Sequence, residues 1–178
     1  MIKRFPVDRQ LDMMDCGPAC LKSIAKYYGK FYSLQHLREK CGLTREGVSF
    51  NDLSYGAENI GLRSLSVKAN LEELYQKIPL PCIIHWANSH FVVVYKVTKT
   101  HVFVSDPAKG LVSYDYTEFK QNWYKQDTAN KKGVLLALEP QADFQMREES
   151  EKLKRKKTYD HLLANFSPYK KSFLNLFI

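Results

Sequence analysis

The sequence lacks both a membrane span and a secretory signal. Its 178 residues contain no apolar run of about 20 residues, the length that a helix needs to cross a bilayer. The first ten residues, MIKRFPVDRQ, lack the apolar stretch of a signal peptide, so nothing directs the chain to an oxidising compartment. We therefore expect the four cysteines to be reduced thiols.

The cysteines also lack the spacing of a metal site. No CxxC pair occurs, and a tetrahedral zinc site would have to combine Cys16 and Cys20, four residues apart, with distant histidines. Cys20, Cys41 and Cys82 stand among apolar residues, which is typical of small core side chains. We therefore predict no metal site.

Basic residues are in excess, but no nucleic-acid motif accompanies them. The formal net charge is +8, and residues 147–178 alone contain eight Lys or Arg against four Asp or Glu. Residues 1–146 show no basic run interleaved with aromatic side chains. The charge indicates a solvated surface, and we expect no nucleic-acid partner.

Helix signals dominate the first half of the chain and strand signals the second half. An apolar i, i+3, i+4 stripe follows Cys16 and stops at Gly29. Four more helices are predicted at capping residues: Ser33, Ser49 with Asp52, Asn70 with Glu73, and Asp115 with Glu118. Runs rich in Val, Ile, Phe and Tyr predict five strands: 62–67, 82–86, 90–97, 101–106 and 133–139. The expected class is α+β, with helices packed on an antiparallel sheet.

Cys16 occupies the start of the first predicted helix, within the stretch DCGPAC. Pro18 suits the first helical turn, where its missing N–H would have had no partner. The unpaired N–H groups of that turn and the helix dipole stabilise a thiolate. Cys16 is therefore the predicted nucleophile.

A nucleophilic cysteine needs a base, and the sequence offers five histidines. A hairpin with a short loop at 97–99 places His90 opposite Asp106. Paired positions share a sheet face, so Asp106 can orient the imidazole while the other ring nitrogen faces Cys16. His85 is the rival base, but no carboxylate lies at such an offset, and a structural role is its simpler interpretation. The same register pairs four valines: Val92 with Val104 and Val94 with Val102.

Gln10 is the candidate donor to an oxyanion. It lies six residues before Cys16, and its amide together with the Cys16 backbone N–H would supply two donors. A glutamine near a terminus is more often a surface residue. Its spacing before a helix-starting Cys-Gly is nevertheless the arrangement of papain-like enzymes.

Four segments together resemble the peptidase family C39: Gln10, DCGPACL at 15–21, HFVVVY at 90–95 and SDP at 105–107. Members of this family form the amino-terminal peptidase domain of bacteriocin and lantibiotic exporters of the ABC type. The resemblance covers roughly residues 8–140, and the order of the motifs is more specific than any single one. It implies a papain-like cysteine peptidase with Cys16 as nucleophile, His90 as base, Asp106 as orienting carboxylate and Gln10 as oxyanion donor.

The resemblance also implies a biological setting. The expected reaction removes the leader from a precursor peptide after a double glycine, at the cytoplasmic face of the bacterial plasma membrane, coupled to export. Residues 1–140 would form the peptidase domain, and the charged residues 141–178 a linker leading towards the first transmembrane region of a longer exporter. We expect that exporter to be a homodimer. The peptidase domain itself should need no cofactor, since ATP and Mg belong to a nucleotide-binding domain outside this chain.

Three alternatives stay open. An acyltransferase of the arylamine acetyltransferase or transglutaminase type uses the same Cys, His, Asp order and transfers an acyl group to an amine. A non-catalytic domain would dock the leader without cutting it, although such family members typically lack the cysteine. Residues 147–178 would also suit an interfacial anchor or a disordered tail.

Overall fold

The computed structural model describes residues 4–87 and 89–147, with the side chain of residue 126 left out. Five helices are found in these ranges: α1 Cys16–Tyr27, α2 Leu34–Lys40, α3 Phe50–Asn59, α4 Leu71–Gln76 and α5 Tyr116–Trp123. Six strands accompany them: β1 Leu62–Ala69, β2 Cys82–Trp86, β3 His90–Val97, β4 His101–Asp106, β5 Gly110–Asp115 and β6 Gly133–Pro140. Short 3-10 turns occur at Met13–Asp15, Tyr124–Gln126 and Phe144–Met146.

The four helix starts that were predicted at capping residues are confirmed, because each depends on a local hydrogen bond. Ser33 accepts from the backbone N–H of His36, and Asp115 accepts from the N–H groups of Thr117 and Glu118. Two reciprocal capping boxes begin α3 and α4: Ser49 with Asp52 and Asn70 with Glu73.

All six strands form one antiparallel sheet in the order β1-β6-β2-β3-β4-β5. Strand β5 was not predicted from the sequence. This strand follows β4 through a three-residue turn at 107–109, and the turn ends at Gly110, whose positive φ of 103° suits glycine. The edge strand β5 pairs with β4 in a hairpin whose turn directly follows Asp106.

The sheet is covered on both faces. Helices α1, α2 and α3 pack on one face, to which β2 contributes Ile83. Helices α4 and α5 pack on the other face, to which the same strand contributes Cys82 and Ile84. Because side chains alternate along a strand, one sheet supports two separate clusters of buried residues. The expectation of an α+β fold with helices on an antiparallel sheet is confirmed.

The predicted register between β3 and β4 is wrong by two residues. The structure pairs Val94 with Val104 and Val93 with Ser105, so the next step places Val92, not His90, opposite Asp106. Two features cause the shift: a wider turn at 98–101 and a β-bulge between Val94 and Lys96. Because the shift is an even number, the side chains keep the same sheet face. The predicted partners of Val92 and Val94 are corrected in the same way.

Residues 141–147, which were predicted to belong to the linker, pack on the domain. Phe144 is 1% exposed and belongs to the cluster under α1. The ammonium of the buried Lys30 donates to the carbonyls of Gln145 and Arg147. The remaining predicted linker, 148–178, lies outside the described residues. Over the part of the chain that is described, no helix is both long and apolar enough to cross a bilayer.

Candidate active site

Cys16 is the first residue of α1, which confirms the predicted helix start. The 3-10 turn Met13–Asp15 leads directly into it, so Cys16 sits at the junction of the two elements. Its side chain is 6% exposed and lines a cavity of about 390 Å³, to which Phe50 and Phe91 also contribute. The thiol therefore lies at a helix N-terminus, where a negative charge is favoured, and on the wall of a cleft.

His90 and Asp106 are in direct contact despite the shifted register. The His90 Nε2 lies 2.9 Å from the Asp106 Oδ1. The two residues are diagonal neighbours across β3 and β4, a separation that an imidazole and a carboxylate can span. The same Oδ1 accepts from the backbone N–H groups of Ala108 at 2.8 Å and Lys109 at 3.3 Å. The turn after β4 thus holds the carboxylate that orients the imidazole.

The surroundings of His90 favour the protonated form of its imidazole. Burial lowers its pKa. Hydrogen bonds to Asp106 and Cys16 and the nearby negative charges outweigh this effect and raise the pKa to about 9. Burial raises the pKa of Asp106, and the hydrogen bonds from His90 and from two backbone N–H groups more than compensate, so that the pKa lies below its ordinary value. Asp106 uses Nε2, which leaves Nδ1 for the thiol. The arrangement can hold a thiolate beside an imidazolium.

Gln10 lies beside this site on the segment before α1. Its backbone N–H donates to the carbonyl of Pro107 at 3.2 Å, in the turn that follows Asp106. It lines a second cavity, which shares Met13 and Met14 with the cavity at Cys16. Within the described residues its buried Oε1 accepts no hydrogen bond. The structure therefore brings Gln10 to the turn next to Cys16, between the loop of Asp106 and the start of α1.

His85 takes a different position from His90. It lies in the wall of the cavity, with ring centroids 5.1 Å from Phe91 and 5.9 Å from Phe50. The contact to the buried carboxylate of Asp106 belongs to His90. The geometry favours His90 over its rival as the base.

The remaining cysteines are buried thiols. Burial raises the pKa of Cys41 and of Cys82 to about 12. Burial also raises the pKa of Cys20 well above its ordinary value, and its Sγ donates to the carbonyl of Phe91. Among the residues that the structure describes, no group of three or more His, Cys, Asp or Glu side chains is arranged to hold a metal ion.

Asp15 and Arg38 are two residues beside the site that were not predicted from the sequence. Asp15 is fully buried directly before Cys16, and Arg38 of α2 contacts both of its carboxylate oxygens. The spacing of Asp12 and Asp15 forms a capping box, a local pattern that the sequence does contain. No local pattern marks Arg38, since it lies 23 residues away.

Comparisons with known proteins place these residues in a family. Residues 4–130 match the sequence profile of the peptidase C39 family. The chain belongs to the peptidase C39 family.

The fold agrees with a crystal structure of a double glycine motif protease from an AMS/PCAT transporter in complex with the leader peptide. That structure has a TM-score of 0.70 and 31% identity over 77% of this chain and 92% of the other. The peptidase domain of Streptococcus ComA, a bi-functional ABC transporter, gives a TM-score of 0.68 at 27% identity, over 78% of this chain and all of that one.

Curated relatives of this C39 chain are much longer proteins. The lactococcin-G-processing and transport ATP-binding protein LagD of Lactococcus lactis is 36% identical over 76% of this chain. The colicin V secretion/processing ATP-binding protein CvaB of Escherichia coli is 33% identical over 80% of it. The chain spans about a fifth of their length, 19% in both cases. The chain is thus a papain-like cysteine peptidase domain of the C39 family.

Proposed function

We propose that this chain is a cysteine endopeptidase that cuts a precursor peptide after a double-glycine motif and so removes its leader. One observation carries the proposal: a thiol at a helix N-terminus, beside a histidine that a buried aspartate orients, within a C39 domain. The 31% identity to a double glycine motif protease that binds a leader peptide supports this substrate class.

The chemistry follows from the positions of the four groups. The Cys16 thiolate attacks the carbonyl carbon of the scissile bond, and the Gln10 amide and the Cys16 N–H donate to the resulting oxyanion. The His90 imidazolium gives its proton to the leaving amine, which breaks the C–N bond and leaves an acyl-enzyme. His90 then takes a proton from water, which hydrolyses the thioester. Asp106 holds the imidazole throughout and stabilises its cation.

The setting of the reaction is also part of the proposal. The curated relatives are transport ATP-binding proteins of which this chain spans a fifth, so we assign it to the peptidase part of an ABC-type exporter. Export coupling, the cytoplasmic face of the plasma membrane, a homodimeric exporter and ATP with Mg in a separate domain belong to this proposal. The peptidase chemistry itself uses only protein groups.

Incubation with a synthetic precursor peptide tests the function. The leader should end in Gly-Gly, and intact mass spectrometry should find one cut directly after the second glycine. A matched precursor with valine in place of that glycine should stay intact, as should the native precursor mixed with the Cys16→Ala variant. Added glycine ethyl ester should not appear in the product, because a peptidase transfers the acyl group to water. An amide adduct would instead indicate acyl transfer to the amine. Binding without cleavage would leave only a docking role.

A further inference from the structure

One buried carboxylate organises the segment between Gln10 and Cys16. Asp15 has a fully buried side chain, and its Oδ2 accepts from the backbone N–H groups of Leu11 at 3.2 Å and Asp12 at 2.9 Å. These bonds fold the segment back onto the residue that precedes the thiol. The backbone between the two functional groups is thereby closed into a loop with a defined shape.

Arg38 secures that carboxylate from a different helix. Its Nε donates to Oδ1 of Asp15 at 2.7 Å and its Nη2 to Oδ2 at 2.6 Å, so the guanidinium binds both oxygens. Such a two-point contact fixes orientation as well as distance. The hydrogen bond from Arg38 is the main cause that holds the pKa of Asp15 below its ordinary value, against the effect of burial. The carboxylate is therefore charged at neutral pH, and α2 anchors the loop.

Gln10 lies directly before this loop, which begins at the Leu11 N–H that Asp15 binds. Its backbone N–H is bound to Pro107, and its buried Oε1 accepts no hydrogen bond from the described residues. A bond at that oxygen therefore does not hold the side-chain amide. The backbone on both sides of this side chain is held, since the N–H of Gln10 is bound by Pro107 and the N–H of Leu11 by Asp15.

We propose that Asp15, clamped by Arg38, is a positioning residue that sets the geometry between the Gln10 amide and the Cys16 N–H. The inference rests on the proposed peptidase chemistry, because it concerns the two donors assigned there to the oxyanion. A displacement of about 1 Å can cost about 100-fold in rate. Loss of the Asp15 contacts should therefore impair oxyanion stabilisation much more than the nucleophilicity of the thiol.

Two reagents separate these effects without the natural substrate. p-Nitrophenyl acetate acylates Cys16: a C–S bond forms, the ester C–O bond breaks, and p-nitrophenolate leaves through an oxyanion intermediate. Iodoacetamide alkylates the same thiolate by displacement of iodide, with no oxyanion. We expect Asp15→Ala to slow acylation about 10- to 100-fold and alkylation by less than about threefold. Glu73→Ala is the matched control, since Glu73 makes the same kind of capping bond on α4, on the opposite face of the sheet.

A second variant covers the case in which Asp15→Ala does not fold. Arg38→Lys keeps the positive charge but cannot bind both carboxylate oxygens, and Arg38 is 27% exposed, so the change is milder. It should slow acylation about 3- to 10-fold and leave alkylation unchanged. The Glu73→Ala control should leave both rates unchanged.

Combination with Gln10→Ala decides whether Asp15 acts through Gln10. In that background Asp15→Ala, or Arg38→Lys, should slow acylation by less than about threefold more, because the donor it positions is already gone. Equal losses in both backgrounds, or a parallel fall of acylation and alkylation, would overturn the inference. A wild-type chain that is acylated but leaves the double-glycine precursor intact would refute the proposed substrate alone and leave this test valid.

Discussion

The backbone N–H of Gln10 donates to the carbonyl of Pro107, the residue that follows Asp106. The turn at 107–109 therefore serves two functional groups, since its N–H groups at Ala108 and Lys109 bind the Asp106 carboxylate. One three-residue turn thus connects the carboxylate that binds His90 with the segment that carries the proposed oxyanion donor. A change in its length would disturb both.

Replacement of Gln10 by alanine should lower kcat. The expected loss is about 10²- to 10³-fold, the usual effect of removing one oxyanion donor, because the amide acts mainly in the transition state. Steady-state cleavage of a double-glycine precursor measures it. Gln76→Ala is the matched control, an exposed glutamine that bonds to Glu72 on α4. Near-normal kcat in Gln10→Ala would return this residue to the role of an ordinary surface glutamine.

Activity should fall as the pH rises through about 9. His90 is protonated below its raised pKa, and the imidazolium that supplies a proton to the leaving amine is lost above it. Asp106→Asn removes the charge that helps to raise this pKa, so the fall should move to lower pH, with a larger effect on kcat than on Tm. The profile of kcat/KM against pH for both proteins checks the prediction. An unchanged basic limb in Asp106→Asn would contradict it.

Only Cys16 should react with iodoacetamide at neutral pH. The pKa values of Cys41 and Cys82 are raised to about 12 by burial, and that of Cys20 is raised as well, so these thiols are protonated and inaccessible. Peptide mapping of the folded chain should find one alkylated site, and Cys16→Ala should show none. Adducts on the other three cysteines of the folded chain would refute the assignment.

Truncation after residue 147 should preserve the peptidase, whereas truncation after residue 140 should destabilise it. The shorter chain loses Phe144 from the core and the carbonyl groups that Lys30 binds. The loss of one buried phenylalanine typically costs about 3–5 kcal/mol. Urea unfolding of the two truncated chains, with Phe144→Ala in the longer one as a control, measures the difference. Equal stability of both would show that 141–147 contribute nothing.

The features that were predicted from the sequence are local. Helix starts at Ser33, Ser49 and Asn70 depend on side chains within three residues, and the position of Cys16 depends on the Gly-Pro that follows. The contact between His90 and Asp106 was predicted for a register that is wrong, and it exists because an even shift preserves the sheet face.

The features that were missed depend on distant parts of the chain. A bulge between Val94 and Lys96 and the length of the turn at 98–101 set the register together, and neither has a strong local signal. Arg38 reaches Asp15 only after α1 and α2 have packed, so no spacing in the sequence identifies it. Strand β5, GLVSYD, includes Gly and Asp, which are depleted in strands, and it forms by pairing with β4.

Helix α1 separates the chemistry from the point where the described chain ends. Cys16 is its first residue, whereas Gln145 donates to the carbonyl of Tyr28, directly after its last turn. With 12 residues and a rise of about 1.5 Å per residue, α1 holds these two points roughly 18 Å apart. A domain attached after residue 147 would be tethered away from the cleft. A force on that tether would act on the end of α1 opposite to Cys16, the proposed nucleophile.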